Sequence, residues 1–242
     1  LILWCIARLC RREKDRYFTA SAANVVRLGD AGACEATVCT LEKHKHSGGL
    51  CMAAFRAIAN LAVVAQSNKT KLRRSGACEA VVAGLEMHLS DVGVTEQGCW
   101  VITYLACDHP ENKARLGHAK ACEATVGALK TYPDSDVVCA RSCGAIAFLA
   151  KDNVDNRDRL IELGACDHVV KALHRHKENK GTLQVACHAL LHLFYSQMPE
   201  RVADLRAEGA LDNRGWVIEK PYEEVLQIWK PDRVAREISW KL

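Results

Sequence analysis

Apolar side chains recur along this chain at intervals that suit one face of an α-helix. In the stretch GACEAVVAGL at 76–85, a valine follows the cysteine by four residues and a leucine follows it by seven. Positions i, i+4 and i+7 share a helix face, so the stretch predicts an amphipathic helix with a buried cysteine. The same three positions recur in four copies, with cysteine, valine and leucine at Cys34, Val38, Leu41; Cys78, Val82, Leu85; Cys122, Val126, Leu129; and Cys166, Val170, Leu173.

The interval between the copies is constant, because positions 34, 78, 122 and 166 are each 44 residues apart. A fixed period of this size indicates a repeat architecture whose units stack on their neighbours. Each period holds two further helical patterns, a short one with a single leucine before the cysteine helix and a longer apolar one after it. Turn-rich breaks separate the second pattern from the third at 47–49, 90–93, 133–136 and 178–181. The sequence therefore predicts an all-α solenoid of three-helix units.

Polar residues also recur in columns at the repeat period. An asparagine stands at the start of the short helix, where we predict that it caps the helix, at Asn68, Asn112 and Asn156. A carboxylate follows each repeated cysteine, where it suits the positive end of the helix dipole, at Glu35, Glu79, Glu123 and Asp167. A third column is basic, at Lys69, Lys113, Arg157 and Arg201. We predict that this basic column is a solvated face rather than a phosphate contact, since acids intersperse it and the net charge is only +4.

The cysteine usage indicates buried thiols rather than disulfides. The chain has an odd number, 13, and seven of them lie in two repeat-locked columns at 34, 78, 122 and 166 and at 99, 143 and 187. Equivalent positions in stacked units point into the same core, so we expect small buried side chains in a reducing compartment. We predict a cytoplasmic protein, with the nucleus as the alternative, and no membrane span, since no apolar run is long enough.

No enzyme signature is present. The chain lacks a glycine-rich phosphate loop, a Gly-x-Ser-x-Gly turn and a His-Glu-x-x-His motif. His188 and His192 have the i, i+4 spacing that can hold zinc, but no catalytic glutamate or third ligand accompanies them. We predict a protein without catalytic activity, cofactor or metal.

Two elements of each unit resemble the armadillo-repeat family. The stretch at 76–85 resembles that family's Gly-Ala-x-x-x-Leu-Val-x-Leu-Leu element, and GCWVITYLA at 98–106 and FRAIANLA at 55–62 are similar to its Trp-Ala-Leu-x-Asn-Leu-Ala third helix. The resemblance implies a right-handed α-solenoid of stacked three-helix units, in a fragment of a longer armadillo-repeat protein. HEAT repeats are the near alternative, but they usually have two helices per unit and lack the Gly-Ala start.

The resemblance extends over residues 1–211. It implies partial units at 1–10 and 196–211 around four fuller ones at 11–62, 63–106, 107–150 and 151–195. The first of these is longer because a charged loop around RREKDRY precedes its short helix. The tail, 212–242, is either a helical cap or the start of a further domain.

In armadillo proteins the third helices line a concave groove with a ladder of tryptophans and, four residues later, a ladder of asparagines. The tryptophan ladder falls here on Trp4, Arg56, Trp100, Gly144 and His188, and the asparagine ladder falls on Arg8, Asn60, Tyr104, Phe148 and His192. No unit keeps both residues, so the importin-like clamp around the backbone of a basic peptide is not expected. The resemblance implies a mixed partner-binding groove formed by Trp4, Arg8, Arg56, Asn60, Glu96, Trp100, Tyr104, Arg141, Phe148, Gln184, His188 and His192.

We therefore expect a non-catalytic protein–protein interaction module that binds a peptide or helix along this groove. The alternative is a structural scaffold segment of a larger multidomain protein, such as an enzyme or kinase. A nucleic-acid or phosphate contact along the basic column ranks third. We also expect the fragment to self-associate through exposed terminal repeats, since an uncovered apolar face drives association.

Overall fold

The structure, a computed structural model, describes residues 22–194. That range contains twelve helices and no strand. The helices are α1 Ala22–Asp30, α2 Ala33–Lys43, α3 Gly48–Ala62, α4 Gln66–Arg74, α5 Ala77–Met87, α6 Val92–Ala106, α7 Pro110–His118, α8 Ala121–Thr131, α9 Asp136–Ala150, α10 Val154–Glu162, α11 Ala165–Arg175 and α12 Lys180–Phe194.

The helices form four triplets, each with helices of 9, 11 and 15 residues. Equivalent helices begin 44 residues apart, since the first helices start at 22, 66, 110 and 154. The all-α solenoid of three-helix units that the sequence predicts is confirmed. Helix α1 is the short helix expected after the charged stretch, while the helix expected at 1–10 and the loop around RREKDRY lie outside the described residues. No helix in the described range is both long and apolar enough to span a bilayer.

The junction between first and second helices explains the repeated Gly-Ala-Cys sequence. The residue before each second helix has a left-handed backbone, with φ of 84° at Gly32, 86° at Gly76, 69° at Lys120 and 75° at Gly164. Glycine adopts this conformation without a steric penalty from Cβ, so it suits three of the four junctions. The turn directs each second helix back against its neighbours, which places its cysteine in the core.

The two cysteine columns lie inside the stack, as predicted. Their side chains are at most 4% exposed, and every cysteine between residues 22 and 194 is a free thiol. Successive third helices pack directly on one another, α3 on α6, α6 on α9 and α9 on α12. The stack therefore presents one continuous face of third helices, which we call the third-helix face.

The repeated asparagines are not helix caps, so that prediction is wrong. The capping residue of α10 is Asn153, whose side chain accepts a hydrogen bond from the backbone N–H of Asn156. Asn156 itself is 4% exposed, and its Nδ2 donates to the backbone oxygens of Lys113 and Leu149 in the preceding unit, at 3.0 and 3.3 Å. Its buried amide supplies a donor to the Leu149 carbonyl, which lies in the last turn of α9 and would otherwise lack one. Asn68 and Asn112 are placed in the same way, with Nδ2 donating to the oxygens of Leu61 and Leu105.

The basic column is not a solvated face at Lys69 and Lys113, which corrects the second sequence-based prediction. Both side chains are 4% exposed. The Nζ of Lys69 donates to the oxygen of Cys107 and that of Lys113 to the oxygen of Lys151, each at 2.6 Å. These oxygens belong to the residues that follow α6 and α9, so each lysine caps the end of its own unit's third helix. Burial lowers the pKa of both amines.

The carboxylate column lies in the first turn of the second helices, as predicted. Two of its members also join consecutive units, since Glu79 pairs with Arg115 and Glu123 pairs with Arg159. These pairs are solvent-exposed, so each contributes about 1 kcal/mol or less to stability. Arg157 of the basic column pairs with Asp158 at 2.9 Å, and Arg201 lies outside the described residues.

Candidate functional site

The predicted groove residues that the structure describes all lie on the third helices. Arg56 is exposed in the middle of α3, whereas Asn60, one turn later, is 7% exposed. Glu96 on α6 is half-buried and Gln184 on α12 is exposed. Trp4 and Arg8 lie outside the described residues.

Five of the predicted residues line a single pocket between α6, α9 and α12. The pocket has a volume of about 260 Å³. We call it the Trp100 pocket, and its lining residues are Trp100, Thr103, Tyr104, Cys107, Ala140, Arg141, Gly144, Phe148, Val185 and His188. Because three consecutive units contribute to it, the pocket exists only in the stacked repeats.

One wall of the pocket is an aromatic pair with an arginine against it. The rings of Trp100 and Tyr104 meet edge to face, with their centroids 5.4 Å apart. The guanidinium carbon of Arg141 lies 4.9 Å from the centroid of the Trp100 ring, within the range of a cation–π interaction. Trp100 is consequently only 5% exposed. It supports the wall, and is not the exposed aromatic anchor that the ladder suggests.

The opposite wall is formed by Phe148 and His188, whose rings meet edge to face at 5.8 Å. His188 is 3% exposed, and its Nε2 lies 3.0 Å from the Nε2 of His192. At this distance one ring nitrogen donates its hydrogen and the other accepts, so the two rings hold one another in place. Between residues 22 and 194 there is no group of three or more histidine, cysteine or acidic side chains that could hold a metal.

The space in the pocket exists because Gly144 interrupts the tryptophan ladder. Gly144 occupies the ladder position between Trp100 and His188, and a Cβ added there would have one neighbour within 4 Å, the Thr103 Oγ1 at 3.7 Å. In the sequence, Gly144 is a position at which the ladder loses its side chain. Because the flanking ladder positions keep their side chains, the missing one leaves a cavity. The ladder pattern also fails to indicate four other residues that line the pocket. They line it only because they face the space left at Gly144, and they are Thr103, Cys107, Ala140 and Val185.

The charge at the pocket is positive. Arg141 is half-buried, no carboxylate lines the pocket, and Arg141 forms no ion pair with any residue from 22 to 194. Arg56, farther along the third-helix face, likewise has no ion pair in that range. Glu96 lies one turn before Trp100 on α6, and its Oε1 accepts a hydrogen bond from the Nε2 of Gln97 at 3.2 Å. A guanidinium stacked on a ring and without a carboxylate can still bind an anion through its edge.

A larger cavity, of about 550 Å³, lies between the second helices α8 and α11. Its basic residues include Lys130, His174 and Arg175, which stand in the last turns of these helices. Basic side chains at that position compensate the negative end of the helix dipole. Their charge therefore has a structural explanation, and the Trp100 pocket remains the stronger candidate.

No protein-family model and no curated protein matches the chain. Solved structures do match it. One is a designed armadillo repeat protein in complex with the peptide (KR)4, with 22% identity, a TM-score of 0.70, and coverage of 94% of this chain and 89% of that one. A second comes from computationally designed armadillo repeat proteins for modular peptide recognition, with 24% identity, a TM-score of 0.67, and coverage of 98% and 89%. The fold of this chain is therefore that of an armadillo-repeat solenoid, as the sequence resemblance implies.

Proposed function

We propose that the chain is a non-catalytic binding module that takes a peptide or a short helix on its third-helix face. The observation that carries the proposal is the Trp100 pocket, which would hold one anchoring side chain of the partner. Its volume of about 260 Å³ is smaller than the roughly 300–1,000 Å³ of small-molecule sites. Its walls are made of tryptophan, tyrosine and arginine, the side chains that most often anchor protein interfaces.

The comparisons support this proposal through the fold alone. One designed armadillo protein is bound to (KR)4, and others were made for peptide recognition. Those are properties of the designed proteins. What this chain shares with them is a face of third helices on which an extended segment can lie, while its interrupted ladder predicts a different way of holding that segment.

Filling the pocket is the most direct test. The substitution Gly144→Leu adds a side chain to the pocket without removing any packed group, and it replaces a mid-helix glycine with a better helix former. Truncating Trp100 is less informative, because the ring is 5% exposed and its loss would destabilise the fold. Peptides would be selected from a random display library on the wild-type protein and then measured against Gly144→Leu. We expect the selected peptides to lose at least about tenfold in affinity, or 1.4 kcal/mol.

Gly127→Leu is the matched control. Gly127 also lies inside a helix, α8, and a Cβ there would likewise meet one side chain, at 3.6 Å from Leu89 Cδ2. It stands on a second helix, away from the third-helix face, so we expect its peptide affinities to equal those of the wild type. If Gly144→Leu binds the selected peptides as tightly as Gly127→Leu does, the pocket is not the binding site.

A further inference from the structure

We infer that the segment held at the Trp100 pocket is acidic, with a large apolar side chain in the pocket and a carboxylate on Arg141. This inference deepens the proposed function and rests on it. It concerns the chemistry of the partner, on which the shared fold says nothing.

Arg141 is the first feature of the pocket that favours an acidic partner. Its guanidinium is half-buried, lies 4.9 Å from the centroid of the Trp100 ring, and has no carboxylate partner in the described range. A partly buried cation without a counter-ion is costly, and stacking leaves the N–H groups along the guanidinium edge free to bind an anion. A carboxylate matches that edge with two parallel hydrogen bonds. The stacking on Trp100 therefore already positions the guanidinium to bind an acidic side chain in the unbound protein.

The remaining charges of the third helices favour the same partner. Between residues 48 and 194 their charged side chains are Arg56, Glu96, Asp136, Arg141 and Lys180. Asp136 is already used at the start of α9, where its two oxygens accept hydrogen bonds from the backbone of Val137 and the side chain of Asn179. The middle of the face thus carries Arg56 and Arg141 against Glu96 alone. A basic segment such as (KR)4 would place its cations against both arginines.

The pocket itself indicates the apolar residue. Beside Arg141, its walls are the rings of Tyr104 and Phe148 and the small side chains of Ala140 and Val185. Both rings are partly exposed, so a bound side chain would remove their remaining apolar surface from water. Phenylalanine or leucine fills such a space, and a carboxylate nearby on the same segment reaches the guanidinium at the pocket wall.

The test uses the full 242-residue chain and three fluorescein-labelled peptides of eight residues. The first has seven glutamates and a central phenylalanine, the second replaces that phenylalanine with alanine, and the third is the basic (KR)4. We expect the first to bind most tightly in fluorescence anisotropy, the second at least about tenfold more weakly, and the third more weakly still. Added salt should weaken binding of the first peptide, since part of its affinity is electrostatic.

Arg141 variants separate the charge from its geometry. Arg141→Gln should weaken binding of the first peptide about tenfold or more, because a charge-assisted hydrogen bond is lost. Arg141→Lys should fall between the two, since it keeps the charge but loses the two-pronged contact. The control is Arg74→Gln, which removes an exposed arginine on α4, a first helix, and should leave binding unchanged. Circular dichroism melts confirm that each variant is folded.

The outcomes distinguish the two proposals. Tighter binding of (KR)4 than of the acidic peptide, with Gly144→Leu still abolishing it, overturns the acidic partner and keeps the third-helix site. Binding of any peptide that survives Gly144→Leu overturns the site itself. A wild-type protein that binds none of the peptides but forms a dimer, which Gly144→Leu converts to monomer, would show that a second copy of the chain fills the pocket; that result too overturns the acidic-peptide inference.

Discussion

Asn156 and Gly117 form a closely packed contact between two neighbouring units. The Asn156 amide is fixed by its bonds to Lys113 and Leu149, and a Cβ on Gly117 would lie 1.8 Å from its Oδ1. No side chain fits at Gly117 while the amide stays in place. Asn68 and Gly29 repeat the arrangement, again at 1.8 Å. Each pair therefore sets how closely one unit approaches the next.

Removing the amide tests its contribution. Asn156→Ala should lower the free energy of unfolding by about 2–3 kcal/mol, because two buried hydrogen bonds are lost and the Leu149 carbonyl is left without a donor. The control is Asn153→Ala, which removes only the cap of α10 and should cost about 1 kcal/mol. Urea unfolding followed by circular dichroism measures both. Equal losses for the two variants would mean that the buried amide acts as no more than a cap.

The sequence could not separate these roles of asparagine. The capping position and the third residue of a helix are only three positions apart. Asparagine is favoured at the capping position, so an asparagine near a helix start is assigned there on propensity alone. The structural difference is that Asn156 faces the preceding unit, which only the packing decides. The buried Lys113 was misjudged in the same way, since its acceptor at Lys151 is 38 residues away.

At the scale of elements, the prediction from sequence was more complete. The cysteine, valine and leucine positions fixed the second helices, and the constant period placed the first and third helices around them. The Trp100 pocket was predicted only in part. The ladder indicated which residues lie along the third-helix face on α6, α9 and α12. The cavity depends on the volume missing at Gly144, and the ladder pattern does not give side-chain volumes or packing.

The junctions before the second helices allow an internal comparison. Gly76→Ala should lower the free energy of unfolding by about 1 kcal/mol or more, because φ is 86° and a Cβ is strained there. The space is open, with Glu42 Oε1 at 3.6 Å, so backbone strain alone is responsible. Lys120→Gly at the equivalent junction should have a smaller effect of opposite sign, since relief of strain is partly offset by the freedom of glycine when unfolded.

Chemical denaturation of both variants measures this difference. A loss of stability in Lys120→Gly as large as that in Gly76→Ala would contradict the role of the left-handed turn. The side chain of Lys120 would then have to stabilise the junction by a contact of its own.

At the scale of the molecule, the buried thiols make stability depend on alkaline pH. Burial raises the pKa of six thiols from the ordinary 9.0 to about 12 at Cys78, Cys122, Cys166 and Cys187 and to about 11 at Cys99 and Cys139. Between these values the unfolded chain releases protons that the folded chain retains. The stability is therefore complete below pH 9 and falls as the pH rises from 9 toward 12.

Between pH 9 and pH 10, each such thiol should lower the free energy of unfolding by about 1 kcal/mol. Six thiols together should lower it by about 6 kcal/mol, which is a large share of a typical domain's stability. The lowered pKa of Lys69 and Lys113 opposes this trend, because a depressed amine pKa makes stability rise with pH over the same range. Urea unfolding at pH 8, 9 and 10 with a phosphine reductant measures the sum. Cys122→Ala should reduce the drop by one thiol's share, and a drop that Cys122→Ala leaves unchanged would contradict burial of this thiol in the folded chain.

The 44-residue period also has a mechanical consequence. Between residues 22 and 194, the substantial contacts between helices run within a unit or between consecutive units, so none of these four units is held by a distant one. If the repeats were pulled from both ends, we expect them to unfold one unit at a time. Each released unit of 44 residues extends to about 150 Å, while it occupied about 10 Å along the stack. Fixed between two anchors, the four units between residues 22 and 194 would lengthen in equal steps as they unfold.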